Sequence, residues 1–200
     1  MIFYAVRHGQ TDWNALGRVC GRTDLPLNAE GERQARQTAG SLRGLAIERI
    51  VCSPLLRARQ TADFAAQVLG LPVRVDARLI EQDYGIFEGR SVTDEAFLRA
   101  KRQFAVRYPG GESMMQVAAR VYALLDEERR KGGGPVLLVC HGGVLRLIRT
   151  YFADMDNDAF FHYSAKNAQV ETCRADCGAD RFLRQGIRCG ERTERMRKTF

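Results

Sequence analysis

Ile2-Phe3-Tyr4-Ala5-Val6-Arg7-His8-Gly9 is the stretch of sequence that decides the fold. Its unbroken apolar part is too short for a core helix and predicts a strand buried on both faces, as in a parallel sheet. Arg7 and His8 end the run abruptly, and Gly9 permits a tight turn or a close approach of the backbone to a ligand. Because open parallel sheets bind ligands beyond the carboxyl ends of their strands, this stretch puts a cation and an imidazole at a candidate ligand site.

Further strands alternate with helices along the chain. Short apolar runs predict strands at residues 49–52, 72–75 and 136–140, the last of these central, and a final strand at 169–174. Asn28 and Ser53 are N-cap residues in front of apolar helical stripes, Pro54 suits the first helical position, and Ser113 begins a capping box. This order of elements predicts an α/β protein, a three-layer α/β/α sandwich with a mostly parallel central sheet.

The 200 residues and the ordinary apolar and charged fractions are typical of one globular domain, or of one domain with a tail. No apolar run approaches the ~20 residues of a membrane span, so no membrane contact is expected. The first residues lack the pattern of a signal peptide, and the cysteines form no C-x-x-C pair or zinc site. We therefore expect reduced thiols in a cytoplasmic protein.

Residues 1–176 are predicted to form the domain, and the glycine-punctuated residues 83–112 are predicted to be an excursion from the sheet and a candidate lid. Residues 177–200 are predicted to be a basic C-terminal tail, solvated or disordered. Most of the net charge of +7 lies at this end, because residues 181–200 hold seven lysines and arginines and two glutamates. Such ends are more often solvated than bound to nucleic acid, so no nucleic-acid partner is expected. The sequence does not fix the oligomeric state.

Charged and imidazole side chains follow four successive predicted strands. Arg7 and His8 come after the first, Arg57 lies in the first turn of the helix after the second, Glu81 follows the third, and His141 follows the central one. Each alone is ordinary at a strand end or on a helix, and isolated matches have a high false-positive rate. Together at one edge of a parallel sheet, two arginines, two histidines and one carboxylate predict a pocket for a phosphoryl group.

His8 is the preferred nucleophile of the two histidines, because it neighbours the loop of Asn14 and Thr23, which can close over a phosphate. An imidazole with a pKa of ~6.5 is available as a neutral nucleophile near pH 7, and a covalent intermediate would divide hydrolysis into two steps. Glu81 is predicted to give a proton to the leaving oxygen and then to take one from water. His162 follows none of these strands and is therefore interpreted as structural or exposed.

No motif for a cofactor or a metal occurs in the sequence. The chain has neither a Walker-type phosphate loop nor an aspartate cluster for Mg²⁺. Phosphoryl transfer depends mostly on positioning and charge stabilisation, which fixed arginines and helix N-termini, such as the one at Gly142, can supply. We therefore expect activity on a small phosphorylated substrate without a metal ion or a cofactor.

Five segments, in order, resemble the motifs of the histidine phosphatase superfamily, in its phosphoglycerate-mutase-like branch. The signature R-H-G-x-T-x-W-N matches residues 7–14 in full. Blocks similar to G-R-x-D-x-P-L, S-P-L-x-R-A-x-x-T-A, E-x-x-x-G-x-x-E-G and V-x-H-G-G-V stand at residues 21–27, 53–62, 81–89 and 139–144. The resemblance therefore extends over most of the chain and implies a phosphoglycerate-mutase-like fold.

The resemblance also implies roles for individual residues. His8 would be the phosphorylated nucleophile, and Glu81 would be the acid and base. The residues implied to bind or line the phosphate and the substrate are Arg7, Asn14, Thr23, Arg57, Tyr84, His141 and Gly142. The choice between the two histidines, which the residues alone leave less certain, is settled more firmly by the family pattern.

Two departures from the family favour a phosphatase over a mutase. Related mutases have a longer insertion after the glutamate-containing block, which excludes water, whereas only a short segment separates Gly89 from Ser113 here. Related mutases also show Glu-Arg-His-Tyr-Gly where residues 81–85 of this chain are Glu-Gln-Asp-Tyr-Gly. A phosphatase has to admit water, and both departures are compatible with that.

Other observations keep alternatives open. Lys101, Arg102 and Arg107 could bind a substrate carboxylate, which favours a cofactor-dependent phosphoglycerate mutase as the second candidate. An α-ribazole phosphatase is a more specific phosphatase assignment. A non-catalytic protein that binds nucleic acid through the basic tail is the alternative from another class, and the intact set of candidate catalytic residues argues against it.

Overall fold

This computed structural model describes residues 1–174 of the chain. They contain five β-strands, seven α-helices and two 3₁₀ turns, joined by loops. The strands are β1 (Ile2–Arg7), β2 (Arg49–Cys52), β3 (Val73–Val75), β4 (Val136–Cys140) and β5 (Val170–Arg174). The helices are α1 (Asp12–Ala15), α2 (Ala29–Ser41), α3 (Leu56–Leu69), α4 (Glu95–Lys101), α5 (Met114–Lys131), α6 (Gly142–Phe152) and α7 (Asn157–His162). The 3₁₀ turns are Ala77–Leu79 and Gly85–Phe87. The predicted basic tail, residues 177–200, lies outside the described residues.

The strands form one sheet in the order β3-β2-β4-β1-β5, in which only β5 is antiparallel to its neighbour. The predicted, mostly parallel sheet is therefore confirmed, with β4 in the centre. β4 suits this place because all five of its residues are apolar and buried. Since β1 to β4 run in the same direction, their carboxyl ends meet at one edge of the sheet.

Alternate side chains of the central strands fill two separate cores. Phe3, Ala5 and Leu138 pack with residues of α5 and α6 on one face of the sheet. Val6 and Leu137 pack with residues of α3 on the other face, and α2 packs against α3. The predicted three-layer α/β/α sandwich is confirmed by this arrangement.

The predicted helix starts have different outcomes. The side chain of Asn28 caps α2, and Ser113 forms a capping box at the start of α5, both as predicted. The prediction for Ser53 and Pro54 is wrong, because α3 begins only at Leu56. The hydroxyl of Ser53 instead shares a hydrogen bond of 2.7 Å with Nε2 of His141. Local capping rules assign the Ser53 side chain to the start of α3, but its hydroxyl forms a hydrogen bond to a distant segment instead.

Two further segments differ from the sequence patterns. The strand predicted at 72–75 is present as β3, but the chain then makes a 3₁₀ turn before it reaches Glu81. Helix α7 has no counterpart among the predicted elements, and its six residues are too few for a helical period to be recognised.

Residues 83–112 contribute no strand to the sheet and contain one 3₁₀ turn and α4. Tyr84, Phe87, Phe97 and Tyr108 form an aromatic cluster, with ring centroids of neighbouring members 5.3 to 6.0 Å apart. This excursion therefore has a small core of its own. Its movement as a lid stays a prediction.

Among residues 1–174, no helix has the length and apolar character needed to cross a membrane. Four cysteines in the same range are free thiols, namely Cys20, Cys52, Cys140 and Cys173.

Candidate active site

Arg7, His8, Arg57, Glu81 and His141 lie together at the carboxyl edge of the sheet and are called the strand-end cluster below. The ring centroids of His8 and His141 are 5.1 Å apart. The backbone sets this proximity, because the N–H of His8 donates to the carbonyl of the last β4 residue at 2.9 Å and prolongs the pairing of β1 with β4. The structure thus brings together groups that follow four different strands.

His8 is buried, with 2% of its surface exposed, and both of its ring nitrogens have partners. Nδ1 lies 2.7 Å from the carbonyl oxygen of Gly9. Because a carbonyl can only accept, Nδ1 carries the proton, and the lone pair of Nε2 accepts a hydrogen bond of 3.2 Å from Nε of Arg57. Burial, and then the charges of Arg57 and Arg7, lowers the pKa of His8 well below its usual value. His8 is therefore neutral, the form that a nucleophile requires.

Arg57 is completely buried in the first turn of α3. Besides His8, its guanidinium donates to the carbonyl of Gly21 at 2.6 Å and to the carbonyl of Thr23 at 2.9 Å. The loop between α1 and α2 therefore wraps around the guanidinium and fixes its direction. An arginine that reads as a surface residue in the helical pattern is in fact held at the centre of the site.

Thr23 differs from the expectation that it lines the phosphate. Its hydroxyl donates to the carboxylate of Glu88 at 2.8 Å, and Thr23 is not among the residues that line the cavity next to His8. The same carboxylate accepts hydrogen bonds from the backbone N–H groups of Gly21 and Arg22. Thr23 thus offers its carbonyl to Arg57 and keeps its hydroxyl on Glu88, a distant residue that the loop motif alone does not reveal.

His141 and Arg7 each have a buried nitrogen without a partner among the described residues. Nε2 of His141 bonds to Ser53, but Nδ1 has no partner. Nη1 of Arg7 donates to the carbonyl of Ala165 at 2.8 Å, but Nε has no partner. Burial, followed by the charge of Arg57, lowers the pKa of His141 well below its usual value. Unpartnered buried polar atoms at one site are what an oxygen-rich ligand would satisfy.

Glu81 is buried with 4% of its surface exposed. Its Oε2 accepts a hydrogen bond of 3.0 Å from the N–H of Gly143, and Oε1 accepts one of 2.9 Å from the N–H of Gln82. A Cβ atom at residue 143 would lie 2.7 Å from Oε1 of Glu81, so only glycine allows this approach to the start of α6. The second glycine after His141 therefore places the carboxylate.

A cavity of about 310 Å³ opens against the strand-end cluster. Six of the predicted site residues line it, namely Arg7, His8, Asn14, Glu81, Tyr84 and Gly142. Arg57 and His141 do not line it, but both are completely buried beside the ring of His8. Burial raises the pKa of Tyr84 well above its usual value, so its hydroxyl stays protonated and can donate to a ligand.

Several residues that line the cavity had no expected role, among them Asn167, Arg146 and Cys20. Nδ2 of Asn167 donates to the carbonyl of His8 at 3.0 Å and lies 3.4 Å from Oδ1 of Asn14. Arg146 lies on α6, and Cys20 lies in the loop before α2. None of the three belongs to a position with a motif role, so the sequence offers no signal that would have found them.

The basic residues considered for a substrate carboxylate are separated by the fold. Lys101 lines the cavity. Arg102 instead lies over the ring of Phe161, with its guanidinium carbon 5.7 Å from the ring centroid. Arg107 is exposed and is not among the lining residues. Of the three, the structure brings only Lys101 to the site.

The cavity suits an anion. Four lining side chains are basic, namely Arg7, Arg18, Lys101 and Arg146, and Glu81 is the one acidic side chain among the lining residues. In the described part of the chain, no group of three or more His, Cys, Asp or Glu side chains is arranged to hold a metal ion. The cations that line the cavity are positioned by the fold and can stabilise negative charge there.

The family model of the histidine phosphatase superfamily (branch 1) matches residues 3–187 of the chain. The chain belongs to this superfamily. The match starts in β1 and includes every member of the strand-end cluster.

Individual relatives and solved structures agree with this membership. A protein of Salmonella choleraesuis named "Probable phosphoglycerate mutase GpmB" is 43% identical over 149 residues, which cover 70% of this chain and 68% of the relative. The native structure of a mycobacterial glucosyl-3-phosphoglycerate phosphatase superposes with a TM-score of 0.77 at 30% identity, covering 86% of this chain and 88% of the other. The structure of a "putative alpha-ribazole-5'-P phosphatase" from Escherichia coli gives a TM-score of 0.74 at 26% identity, covering 86% and 89%.

Proposed function

We propose that the protein hydrolyses the phosphomonoester of a small metabolite through a phosphohistidine intermediate on His8. The observation that carries this proposal is the state of the His8 ring, whose proton is on Nδ1 and whose Nε2 lone pair faces Arg57. Neutral imidazole and neighbouring guanidinium are what attack on a phosphate dianion requires. Membership of the histidine phosphatase superfamily supports the same chemistry.

The first step of the proposed reaction transfers the phosphoryl group to the enzyme. Nε2 of His8 forms a bond to phosphorus while the ester P–O bond breaks. Glu81, which lines the cavity together with His8, gives a proton to the leaving oxygen, so the alcohol departs neutral. This step requires Glu81 to be protonated when the substrate binds.

The second step returns the enzyme to its starting state. Glu81, now ionised, takes a proton from a water molecule, whose oxygen attacks phosphorus while the P–N bond to His8 breaks. Inorganic phosphate leaves, and both residues regain their initial protonation. Arg7, Arg57, His141 and the N-terminus of α6 at Gly142 are proposed to stabilise the negative charge in both steps.

The remaining predicted residues receive supporting roles. Asn14 and Tyr84, which line the cavity, are proposed to bind the substrate. Thr23 is proposed to position Arg57 through its carbonyl, in line with its hydrogen bond to the guanidinium. No cofactor or metal ion enters the proposed steps.

Phosphoglycerate mutase activity is the second candidate, because a relative with 43% identity carries that name and Lys101 lines the cavity. A mutase has to keep water away from the phosphoenzyme, and the short segment between Gly89 and Ser113 favours a phosphatase. A phosphatase specific for α-ribazole phosphate is a further possibility within the main proposal, supported by the likeness to the Escherichia coli structure.

Two assays separate these candidates. A panel of small phosphomonoesters, including 3-phosphoglycerate, sugar phosphates and α-ribazole phosphate, is tested for release of inorganic phosphate. A coupled assay then follows conversion of 3-phosphoglycerate to 2-phosphoglycerate. Phosphate release is expected, and conversion without phosphate release would reject the phosphatase in favour of the mutase.

We also propose that residues 1–176 form the catalytic domain and that the basic tail, 177–200, takes no part in catalysis. A cytoplasmic location is proposed as well, supported by the four free thiols in the described residues. A chain that lacks residues 181–200 is expected to keep its turnover of the preferred phosphomonoester. Loss of turnover in a truncated protein that still folds, as judged by circular dichroism, would show that the tail contributes to the site.

A further inference from the structure

Glu88 belongs to one of the sequence motifs, but the proposed reaction gives it no role. It is the second glutamate of the block at residues 81–89, and it directly follows the 3₁₀ turn Gly85–Phe87. Its side chain does not line the cavity next to His8. Any contribution of Glu88 to the reaction must therefore pass through other residues.

The Glu88 carboxylate accepts hydrogen bonds from one short turn, residues 21–23, in the loop between α1 and α2. The three backbone N–H groups of this turn donate to it at 3.0 to 3.3 Å, and the hydroxyl of Thr23 donates at 2.8 Å. The N–H of Tyr84 donates as well, at 3.3 Å. Successive backbone N–H groups that converge in this way form an anion-binding nest. The turn 21–23 is therefore shaped around a carboxylate.

The carbonyl groups of the same turn hold Arg57. Nη2 of Arg57 donates to the carbonyl of Gly21 at 2.6 Å, and Nη1 donates to that of Thr23 at 2.9 Å. Nε is then left to donate to Nε2 of His8 at 3.2 Å. The turn thus links an anion, bonded to its N–H groups, with a cation, bonded to its carbonyls, and hydrogen bonds in such a chain strengthen one another.

Close packing fixes the turn against the segment that carries Glu88. A Cβ atom at residue 21 would collide with Oε1 of Glu88, so the approach of the turn requires Gly21. Backbone hydrogen bonds also tie the two segments together. The N–H of Val19 donates to the carbonyl of Arg90 at 2.8 Å, and the N–H of Gly89 donates to the carbonyl of Val19 at 2.9 Å.

The contacts of Glu88 require a group that only accepts hydrogen bonds. Elsewhere in this loop a neutral amide is sufficient, because the side-chain oxygen of Gln60 accepts the single N–H of Leu27 at 2.8 Å. At the turn 21–23, several donors are directed at both oxygens of one side chain. A glutamine there would turn its own N–H₂ group toward some of these donors.

We propose that Glu88 is a positioning residue, which holds the turn 21–23 so that the guanidinium of Arg57 stays directed at Nε2 of His8. This inference rests on the proposed function and deepens it, because it gives a role in the reaction to a residue outside the cavity. When the lone pair of Nε2 attacks phosphorus, the Nε–H of Arg57 is released and can donate to a phosphoryl oxygen. The other two nitrogens stay on the turn, so the cation is already in place when charge develops.

The kinetic test compares two carboxylates that each have several partners. Glu88→Gln is expected to lower kcat for the preferred phosphomonoester by roughly 10- to 100-fold with a much smaller change in KM, because a slightly misplaced group can cost about 10² in rate. Glu128→Gln is the matched control. Glu128 forms ion pairs with Arg74 at 2.7 Å and Lys131 at 2.8 Å, and it does not line the cavity. The control is expected to lose stability and keep its kcat. An unchanged kcat in Glu88→Gln, or an equal loss in both variants, would overturn the proposal.

A double-mutant cycle tests whether Glu88 acts through Arg57. Lysine lacks the fork of arginine and cannot bond to His8 and to both carbonyls at once, so Arg57→Lys removes the group that Glu88 is proposed to position. In that background Glu88→Gln is expected to cost less than about 3-fold in kcat, since residues of one network are not additive. The same loss in both backgrounds would overturn the proposal. If Glu88→Gln fails to fold, Thr23→Val replaces it in the cycle, with a several-fold loss that disappears in Arg57→Lys.

A spectroscopic readout separates failure of this inference from failure of the proposed function. The chain has three histidines, so the ring nitrogens of His8 in ¹⁵N-labelled protein are identified by the signals that His8→Ala loses. Glu88→Gln is expected to move the Nε2 signal of His8 toward that of an imidazole without a hydrogen bond at this nitrogen, and Glu128→Gln is not. This shift supports the positioning role even if no phosphate release is ever seen. An unchanged Nε2 signal in an otherwise active Glu88→Gln protein would overturn the inference alone.

Discussion

The strand-end cluster and the pair Lys101 and Arg146 lie next to one cavity, but the protein holds their charged groups in different ways. Arg57 has three partners, both nitrogens of His8 are occupied, and both oxygens of Glu81 accept backbone hydrogen bonds. Lys101 and Arg146 have no acidic partner in residues 1–174. Groups that the fold holds in fixed positions suit stabilisation of the charge that develops in a transition state.

Lys101 comes from a different part of the fold, whereas Arg146 lies on α6, the helix that follows His141 of the strand-end cluster. Every member of the strand-end cluster lies at the end of a parallel strand or in the segment that follows one, so the sheet brings these segments to one edge. Lys101 comes from residues 83–112, which lie outside the sheet and pack through their own aromatic cluster. We expect a change at Lys101 in this excursion to affect substrate binding more than the chemistry. The following experiments test that division, beginning with the largest expected effect.

His8→Ala removes the proposed nucleophile and should abolish turnover, with a loss of at least ~1000-fold in kcat. No acid-labile phosphoenzyme should form when the variant is mixed with substrate and quenched. His162→Ala is the matched control, because His162 is exposed and bonds only to its own helix at Asp158 among the described residues. Turnover that survives in His8→Ala would reject the assignment of the nucleophile and, with it, the central position of the strand-end cluster.

Glu81→Gln removes the proposed proton donor and should lower kcat/KM for an alkyl phosphate by roughly 10²- to 10⁴-fold. The loss should be much smaller for p-nitrophenyl phosphate, since p-nitrophenolate leaves without a proton. Because kcat/KM reports steps up to formation of the phosphoenzyme, the comparison isolates proton donation from the later attack of water. Equal losses for both substrates would mean that Glu81 donates no proton and contributes only its charge or its structural contacts.

The buried histidines should make stability depend on pH. The pKa values of His8 and His141 are lowered well below their usual value in the folded protein, so these residues bind protons only when the chain unfolds. As pH falls below ~6.5, each should lower the free energy of unfolding by roughly 1.4 kcal/mol per pH unit. Above that range the contribution is fully present.

Urea unfolding between pH 7.5 and pH 5 measures this dependence. His8→Asn should reduce the slope by the contribution of one histidine, and His162→Asn serves as the control. An unchanged slope in His8→Asn would mean that His8 is protonated in the folded protein, in conflict with its role as the neutral member of the strand-end cluster.

The smallest expected effect is that of a chelator. Because Arg7 and Arg57 supply fixed positive charge, incubation with EDTA should leave turnover unchanged. Activity that EDTA removes and a divalent metal restores would show that the cations of the cavity are insufficient.

Particular residues show how far the sequence could be read. The alternation of short apolar runs with helical stripes predicts the three-layer sandwich. The uninterrupted apolar residues of β4 predict its central place, because a central strand is buried on both faces. The same alternation predicts that five side chains lie close together, since parallel strands bring their carboxyl ends to one edge. These are Arg7, His8, Arg57, Glu81 and His141. These conclusions follow from the hydrophobic period of each segment and from the order in which strands and helices alternate.

Other residues depend on contacts between distant segments. Ser53 reads as a helix cap but bonds to His141, and Thr23 reads as a phosphate ligand but gives its hydroxyl to Glu88. Their partners lie far away along the chain, and no local pattern encodes a partner at a distance.

The amino-acid sequence by itself therefore determined the fold, its sheet edge and the groups that meet there. Only the tertiary structure decided the protonation pattern of His8, the burial of Arg57 and the positions of Lys101 and Arg146 along one cavity. The reason is physical: hydrophobic period and the order of elements can be seen along the chain, whereas desolvation and charge interactions are set by neighbours in space.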